Sequence, residues 1–350
     1  MHFVDRIDRL LFLRTVPLFG DLPQERLALL SEHMQEIFVP ADTVFQREGD
    51  TIGQLRIVVE GNVQGFLQSG ESWTMPMHAV LGVFEFFAGR SHQSLRTTSD
   101  SVMLEISTLA LRGILEDYFD VVVHTFRGLT RILMHFLSEY WLEIPLRDLT
   151  TPPNPPPIPT NPDVVDQILI LRHVALFERA SVDGLAALCR TTRIVHFAAG
   201  ERIWTAGDAE TWGGVILAGS ILTRNNTLLK RSGEITFGPL SPPGLLELLA
   251  HRPRFYDAYA EKELVILRID LDDFYDALED HFDMTMECLG AFASAAMNVF
   301  ERLGRARLEQ MRQAGAAPTI SFVVDGAPIS VPHASSSLFE APPESVRSAR

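Results

Sequence analysis

The chain has 350 residues, of which 46% are hydrophobic and 21% charged, and its formal net charge at pH 7 is −15. This length and composition suffice to bury two cores of about 150 residues each without disulfide or metal staples. The acidic balance disfavours nucleic acid as a partner, because a protein that binds a duplex has to neutralise several phosphates. No stretch approaches the ~18 consecutive apolar residues of a membrane span, so we expect a cytoplasmic protein and no membrane contact.

The two cysteines, Cys189 and Cys288, fall in different segments of the second half of the chain. No symmetry of the sequence pairs them. The pattern predicts free, buried or half-buried thiols in a reducing compartment.

The sequence contains one module twice. Leu13 to Phe19 recurs as Leu171 to Phe177, and Leu115 to Asp120 recurs as Leu278 to Asp283. The offset between the copies grows only from 158 to 163 residues, so about five residues of drift are absorbed in loops. Further paired features lie between these anchors: Gly49 with Gly207, Asp50 with Asp208, Gly61 with Gly219, Gly82 with Gly244, Glu85 with Glu247 and Arg90 with Arg252. A repeat of this kind predicts two domains with the same fold.

The domain limits follow from composition. Residues 150–162 are rich in proline, which lacks the amide donor and blocks the preceding helical turn, so they form a linker. We expect a first domain at 1–149 and a second at 163–313. Residues 314–350 are rich in Ala, Ser and Pro and predict a flexible tail, within which 320–331 has two β-prone runs around a turn and could form a hairpin.

Each module reads in the same order: a helix, then short strands, then two helices. In the first module the pattern predicts helices at 22–36, 109–115 and 121–142 and strands at 36–39, 43–46, 54–59, 62–67 and 102–106. In the second, a long helix is expected at 284–312. The apolar stripes of the two long helices are typical of a face packed on its own domain, and equally of a subunit or inter-domain contact. Both alternatives stay open at this point.

The order of these elements and their glycine turns resembles the cyclic nucleotide-binding domain, here in tandem. The residues that carry the resemblance are Val16 to Phe19, Phe45 to Asp50, Val58 to Gly61 and Gly82 to Asp100 in the first copy, and Val174 to Phe177, Ala199 to Glu201, Ala206 to Asp208, Leu217 to Ser220 and Gly244 to Ala260 in the second. The resemblance implies an α+β fold: two β-rolls of the jelly-roll kind, each with an N-terminal helix and C-terminal helices. It also implies a regulatory, signalling role and cAMP or cGMP as the ligand class.

The resemblance places a phosphate-binding cassette at Gly82 to Asp100, the first cassette, and at Gly244 to Ala260, the second cassette. In the family a glutamate directly after the cassette glycine binds the ribose and an arginine pairs with the phosphate. The sequence departs from this pattern in both copies, so both cassettes are degenerate. The candidate ligand-binding residues are Gly244, Leu245, Glu247, Arg252 and Arg254 in the second domain and, more weakly, Gly82, Val83, Glu85, Arg90 and His92 in the first.

The arginine position decides between the two cassettes. Counting from the glycine places His92 at that position in the first copy and Arg254 in the second. Phe255 and Tyr256 follow Arg254 where the resemblance implies small residues that leave room for the phosphate. An arginine-phosphate pair contributes about 1.5 to 3 kcal/mol, so the second cassette is the better candidate. The alternative is that Glu85 and Glu247 are first-turn helix acids, and that Arg252 and Arg254 lie in a solvated loop or pair with carboxylates.

No enzyme motif is present: the sequence has no Gly-x-Ser-x-Gly, no Gly-Lys-Ser phosphate loop and no cysteine with a histidine partner in context. The histidines lack metal-ligand spacing, which gives no support for a metal site. We expect no catalytic residue and no certain cofactor. The leading hypothesis is a non-enzymatic regulator that acts through a protein partner or self-association at helices 121–142 and 284–312, with a second pocket that responds to ligand. The alternative is a ligand-free structural or assembly scaffold.

Overall fold

The structure is a computed structural model, and it describes residues 6–68, 72–75, 77–140, 157–159, 161–225, 234–313, 322–324 and 327–329. Most of the expected linker and most of the expected tail lie outside these residues, so the domain limits remain a prediction.

The first half begins with helices, continues through short strands that one short helix interrupts, and ends with helices. Its elements are α1 (Arg6–Arg14), α2 (Gln24–His33), β1 (Gln35–Val39), β2 (Val44–Gln46), β3 (Gln54–Glu60), β4 (Val63–Phe66), β5 (Ser72–Met75), β6 (Val80–Leu81), α3 (Val83–Ala88), β7 (Ser94–Thr97), β8 (Ser101–Ser107), α4 (Thr108–Asp117) and α5 (Phe119–Tyr140).

The second half repeats that order. Its elements are α6 (Val164–Leu171), α7 (Val182–Thr191), β9 (Arg193–Phe197), β10 (Arg202–Trp204), β11 (Trp212–Ala218), β12 (Ile221–Arg224), β13 (Ile235–Phe237), α8 (Leu245–Ala250), β14 (Asp257–Ala260), β15 (Leu264–Asp270), α9 (Leu271–Asp280) and α10 (Phe282–Gln313). Strands β16 (Phe322–Val324) and β17 (Ala327–Ile329) follow as an antiparallel pair.

Each half folds into two antiparallel sheets that face each other as a roll. The first half has the strand orders β1-β8-β3-β6 and β2-β7-β4-β5, and the second has β11-β15-β9 and β10-β14-β12-β13. The β10-β14-β12-β13 order repeats β2-β7-β4-β5 strand for strand, and β9-β15-β11 repeats β1-β8-β3. The fold is therefore mixed helix and strand with antiparallel sheets, as the sequence predicts.

The turn after β3 and its repeat after β11 explain why the sequence keeps glycine there. Gly61 and Gly219 have φ of 95° and 83°, a region that side chains rarely adopt. A Cβ at Gly61 would lie 2.6 Å from the carbonyl oxygen of Asp100, and one at Gly219 would lie 2.3 Å from that of Glu263. Both turns thus require glycine because the backbone of the neighbouring hairpin crosses directly over them.

Local chemistry sets several helix starts. The Ser107 side chain accepts a hydrogen bond from the Ala110 amide and caps α4, and Ser181 caps α7 in the same manner. Asp163 and Asp166 form a reciprocal capping box at the start of α6. Helix α2 begins after Pro23 and ends at His33, which is shorter than the predicted 22–36 because β1 already starts at Gln35.

The two halves share one hydrophobic core. A single cluster of buried side chains runs from α1, α2 and α5 of the first half to α6 to α10 of the second, while a separate small core fills each roll. Arg112 of α4 lies 5.3 Å from the ring centre of Phe282, and Phe119 meets Tyr275 edge to face at 6.1 Å. Helices α5 and α10 also touch each other, so the contact between the two halves includes the long helices.

Candidate functional site

Both cassettes begin with a glycine in the left-handed conformation. Gly82 and Gly244 have φ of 89° and 78° and stand at the N-termini of α3 and α8. A Cβ at Gly244 would lie 2.5 Å from Nη1 of Arg254. The second glycine therefore makes room for the arginine that the sequence singles out.

Arg254 is buried and bound by the protein itself. Only 3% of the residue is exposed, Nη1 donates to the carbonyl oxygen of Gly244 at 3.1 Å, and Nη2 donates to that of Trp212. The guanidinium also lies 4.3 Å from the ring centre of Trp204. These contacts satisfy a cation that would otherwise be costly to bury.

Glu247 lies beside this arginine, in the first turn of α8. Its residue is 1% exposed, and Oε1 accepts no hydrogen bond from the residues that the structure describes. Burial raises the pKa of Glu247 to about 7, against the opposing effect of the Arg254 charge, and the negative charge of Glu210 adds to the rise. Burial also holds the pKa of Tyr256 well above its ordinary value.

The remaining predicted residues of the second cassette do not converge on a pocket. Leu245 is buried in the shared core, whereas Arg252 is exposed and contributes its backbone amide to the Glu247 carbonyl oxygen at 3.1 Å. His251 ends α8 in the left-handed conformation, and its Nδ1 lies 2.8 Å from Glu210.

The first cassette is closed by uncharged polar side chains. Gln93 donates from Nε2 to Glu85 at 2.7 Å, and Gln46 donates from Nε2 to the Ser91 hydroxyl at 2.6 Å. All four side chains are buried, with Gln93 at 1% and Glu85 at 3% exposure. The Gln93 amide thus provides a hydrogen-bond donor for the buried Glu85 carboxylate from within the roll.

Trp73 fills further space inside the first roll. The residue is 5% exposed, and a Cβ at Gly65 would lie 2.4 Å from its Nε1 and 2.7 Å from Oε1 of Gln93. Gly65 is therefore needed for the indole and the amide to pack over β4. Of the other predicted residues, Val83 is buried, Arg90 is exposed and His92 is half-buried.

The equivalence of His92 with Arg254 is wrong by one residue. The amide of Gly49 binds the carbonyl oxygen of Ser91 at 2.8 Å, and that of Gly207 binds the carbonyl oxygen of Arg254 at 2.7 Å. Ser91 is thus the counterpart of Arg254, and the second copy carries one extra residue, Pro253, between helix and strand. His92 then corresponds to Phe255 and Gln93 to Tyr256.

The strand register extends this equivalence to the partner of the arginine. Gln46 pairs with Leu95 across β2 and β7, and Trp204 pairs with Ala258 across β10 and β14, so Gln46 and Trp204 are counterparts. The pair Gln46 with Ser91 in one half is therefore replaced by Trp204 with Arg254 in the other. The first half therefore has a hydrogen bond where the second half has a cation-aromatic contact.

Sequence reasoning missed the residues that close the cassettes. Trp204, Trp212, Gln46, Ser91 and Gln93 carry no motif. The offset between copies was the signal that could have found them, since aligning the hairpins at Gly61 and Gly219 pairs Trp204 with Gln46 directly.

The short cassette helices pack crosswise on the long helices of the opposite half. Helix α3 packs on α10, and α8 packs on α5. A Cβ at Gly290 of α10 would lie 2.8 Å from the carbonyl oxygen of Phe87 at the end of α3. Each cassette is thereby held by the helix that closes the other half.

Among the described residues, no group of three or more His, Cys, Asp or Glu side chains is placed to hold a metal ion. Within the same part of the chain, no helix combines the length and apolarity that crossing a bilayer demands. Cys189 and Cys288 are free and buried, as the sequence predicts.

No family model and no curated protein matches the chain. Among solved structures, the cAMP-bound regulatory domain of Toxoplasma gondii PKA is 16% identical, covering 83% of this chain and 96% of that chain with a TM-score of 0.32. The regulatory subunit of a cAMP-independent protein kinase A from Trypanosoma brucei is 16% identical, covering 90% and 97% with a TM-score of 0.33. A cyclic nucleotide-binding-like protein from Brucella abortus is 27% identical, covering 33% and 98% with a TM-score of 0.29.

The fold itself comes from the strand orders and helix positions described above. Each half has a helical entry, facing antiparallel sheets, a short helix begun by a left-handed glycine, and two closing helices. In this architecture the chain is similar to the cyclic nucleotide-binding regulatory domains.

Proposed function

We propose that the protein is a non-enzymatic, cytoplasmic regulator built from tandem cyclic nucleotide-binding-like rolls, that it acts through a protein partner, and that its own side chains occupy both cassettes. The observation that carries this proposal is the state of Arg254. Only 3% of the residue is exposed, and its guanidinium contacts two backbone carbonyl oxygens and an indole ring. A phosphate would have to displace these contacts before it could pair with the arginine.

The first cassette also supports the proposal that side chains of the protein occupy both cassettes. It has a serine at the arginine position, and its glutamate is already bound by Gln93. An anion in the first cassette would therefore lack the arginine that the second cassette has, at a cost of at least about 1 to 3 kcal/mol.

The second candidate function is a regulator whose second roll responds to an anionic ligand such as cAMP or cGMP. The presence of Arg254 beside Gly244 favours it, because guanidinium is the side chain that pairs best with phosphate. In this case Arg254 would have to leave its carbonyl partners when ligand enters.

A thermal-shift titration with cAMP and with cGMP separates the two functions. A ligand at 100 times its dissociation constant adds about 2.7 kcal/mol to the free energy of unfolding. We expect no shift for the wild type. A saturable shift that Arg254→Ala abolishes would establish the ligand-responsive regulator instead.

Exposed apolar side chains support the partner-binding part of the proposal. Ile7 and Leu11 on α1 are 65% and 57% exposed, and their repeat counterparts Val165 and Leu169 on α6 are 63% and 55% exposed. The two halves therefore expose an apolar pair at the same place, and exposed apolar surface of this kind can be buried against a protein partner.

Affinity capture with matched variants tests this surface. The double variant Leu11→Glu/Leu169→Glu should lose proteins that the wild type captures, while the unfolding temperature stays unchanged. Leu109→Glu is the control, since Leu109 on α4 is 81% exposed and has no counterpart in this set. Equal capture by all three proteins would remove this surface from the proposal.

A further inference from the structure

The second cassette buries a carboxylate without the amide partner that its counterpart has. In the first cassette Gln93 donates to Glu85 at 2.7 Å. At the equivalent place the second cassette has Tyr256, and Oε1 of Glu247 has no hydrogen-bond partner among the described residues. A buried, unsatisfied carboxylate oxygen costs free energy, and taking up a proton removes most of that cost.

The charges around Glu247 do not fully offset this cost. Arg254 faces it, but Nη1 and Nη2 of the guanidinium are committed to backbone carbonyl oxygens. Glu210 adds a second negative charge, its side chain 10% exposed and 2.8 Å from Nδ1 of His251. The buried Tyr256 hydroxyl also lies near Glu247 and Arg254, and burial together with the Glu247 charge raises its pKa. In these surroundings the pKa of Glu247 rises from 4.5 to about 7, chiefly through burial.

The same charges reach the contact between the halves. Helix α8, which carries Glu247, packs on α5. The Tyr275 hydroxyl feels both the charge of Glu210 and that of Arg127 on α5, and the Tyr275 ring meets Phe119 of α5 at 6.1 Å. Glu210 acts on both Glu247 and Tyr275, so it links the charge at Glu247 to groups that join the second cassette to the first half.

We propose that Glu247 and Glu210 form a proton-sensitive latch by which the second cassette holds helix α5 of the first half. Neutral Glu247 keeps α8 packed on α5. Ionised Glu247, buried beside Glu210, favours separation of α8 from α5. The folded state binds the proton more tightly than the open state, so the latch contributes fully below pH 4.5 and is lost as the pH rises to about 7.

Hydrogen exchange of the α8 amides in the full chain tests the latch. The pKa of Glu247 is about 7 when α8 is packed and 4.5 when α8 is open and the carboxyl is in water. After correction for the intrinsic exchange rate, we therefore expect the opening constant of α8 to be about tenfold larger at pH 8 than at pH 6. Glu247→Gln should remove this dependence. Glu85→Gln is the matched control at the repeat position and should keep the wild-type dependence.

Two further variants separate Glu247 from its neighbours. Glu210→Gln removes the like charge, which lowers the pKa of Glu247 in the packed state, so the loss of α8 protection should occur at lower pH. This variant also tests the latch if Glu247→Gln does not fold. His251→Gln should leave the dependence in place. Equal α8 protection at pH 6 and pH 8 in the wild type, a dependence that survives in Glu247→Gln, or one that disappears in His251→Gln would overturn the proposal.

Discussion

Nη1 of Arg254 donates a hydrogen bond to the carbonyl oxygen of Gly244 at 3.1 Å, so the arginine of the second cassette closes on the glycine that begins the same cassette. The position that would pair with a phosphate is thus occupied by the backbone. We propose on this ground that Arg254 is a structural residue, which a measurement of stability can test.

Arg254→Ala should lower the free energy of unfolding by about 3 kcal/mol, because it removes the hydrogen bonds to two carbonyl oxygens and leaves Glu247 buried without the opposing charge of the guanidinium. Urea denaturation measures this change. Arg90→Ala is the control, since Arg90 is exposed at the corresponding end of the first cassette helix, and it should change stability by less than about 0.5 kcal/mol. Two variants of equal stability would mean that Arg254 is not held as described.

Gly290→Ala tests the crosswise packing of the halves. The added Cβ would lie 2.8 Å from the Phe87 carbonyl oxygen, and a backbone atom yields less easily than a side chain. We expect a loss of about 1 to 3 kcal/mol in unfolding free energy. Gly113→Ala, in α4 with no heavy atom within 4 Å of the new Cβ, should instead gain up to about 1 kcal/mol from helix propensity. A gain in both variants would argue against close contact between α3 and α10.

Gly65→Ala tests whether the first roll is filled. Its Cβ would lie within 2.7 Å of both Trp73 and Gln93, so one of the two buried side chains has to move. We expect a loss of about 1 to 3 kcal/mol, measured by chemical denaturation together with the near-ultraviolet dichroism of the indole. Gly53→Ala, where the new Cβ meets nothing within 4 Å, is the matched control and should stay within about 1 kcal/mol of the wild type.

The two thiols should be inert in the folded protein. Burial raises the pKa of Cys189 to about 12 and that of Cys288 still further. Since the thiolate is the reactive form, a thiol-specific reagent at pH 8 should label neither cysteine until denaturant is added. Rapid labelling of one thiol in the native protein would show that its segment opens, and peptide mapping would identify which.

The repeated anchors of the sequence were sufficient to predict the fold. Gly61 and Gly219 are fixed by hairpin backbones that cross them, so the turn signal is local and readable in both copies. The long helices also matched, at Phe119–Tyr140 and Phe282–Gln313 against the predicted 121–142 and 284–312. Strands β16 and β17 lie within the predicted hairpin at 320–331, whose central turn is outside the described residues.

The closure of the cassettes could not be read from the sequence. Whether Arg254 faces a cavity or an indole depends on Trp204, which lies 50 residues earlier and is brought beside it by the pairing of β10 with β14 and by the backbone hydrogen bonds of Arg254 to Gly207 and Asp208. The extra residue Pro253 also shifted the alignment of the two copies by one residue. His92 was therefore aligned with Arg254 in place of Ser91. Long-range register, rather than local motif, decides what fills each roll.

The most direct test of the closed cassettes is a crystal structure of the full chain grown with millimolar cAMP, and a second grown with cGMP. We predict that Arg254 still donates to the carbonyl oxygens of Gly244 and Trp212 and still lies on Trp204. Electron density for a nucleotide with the Arg254 guanidinium turned onto its phosphate would contradict it.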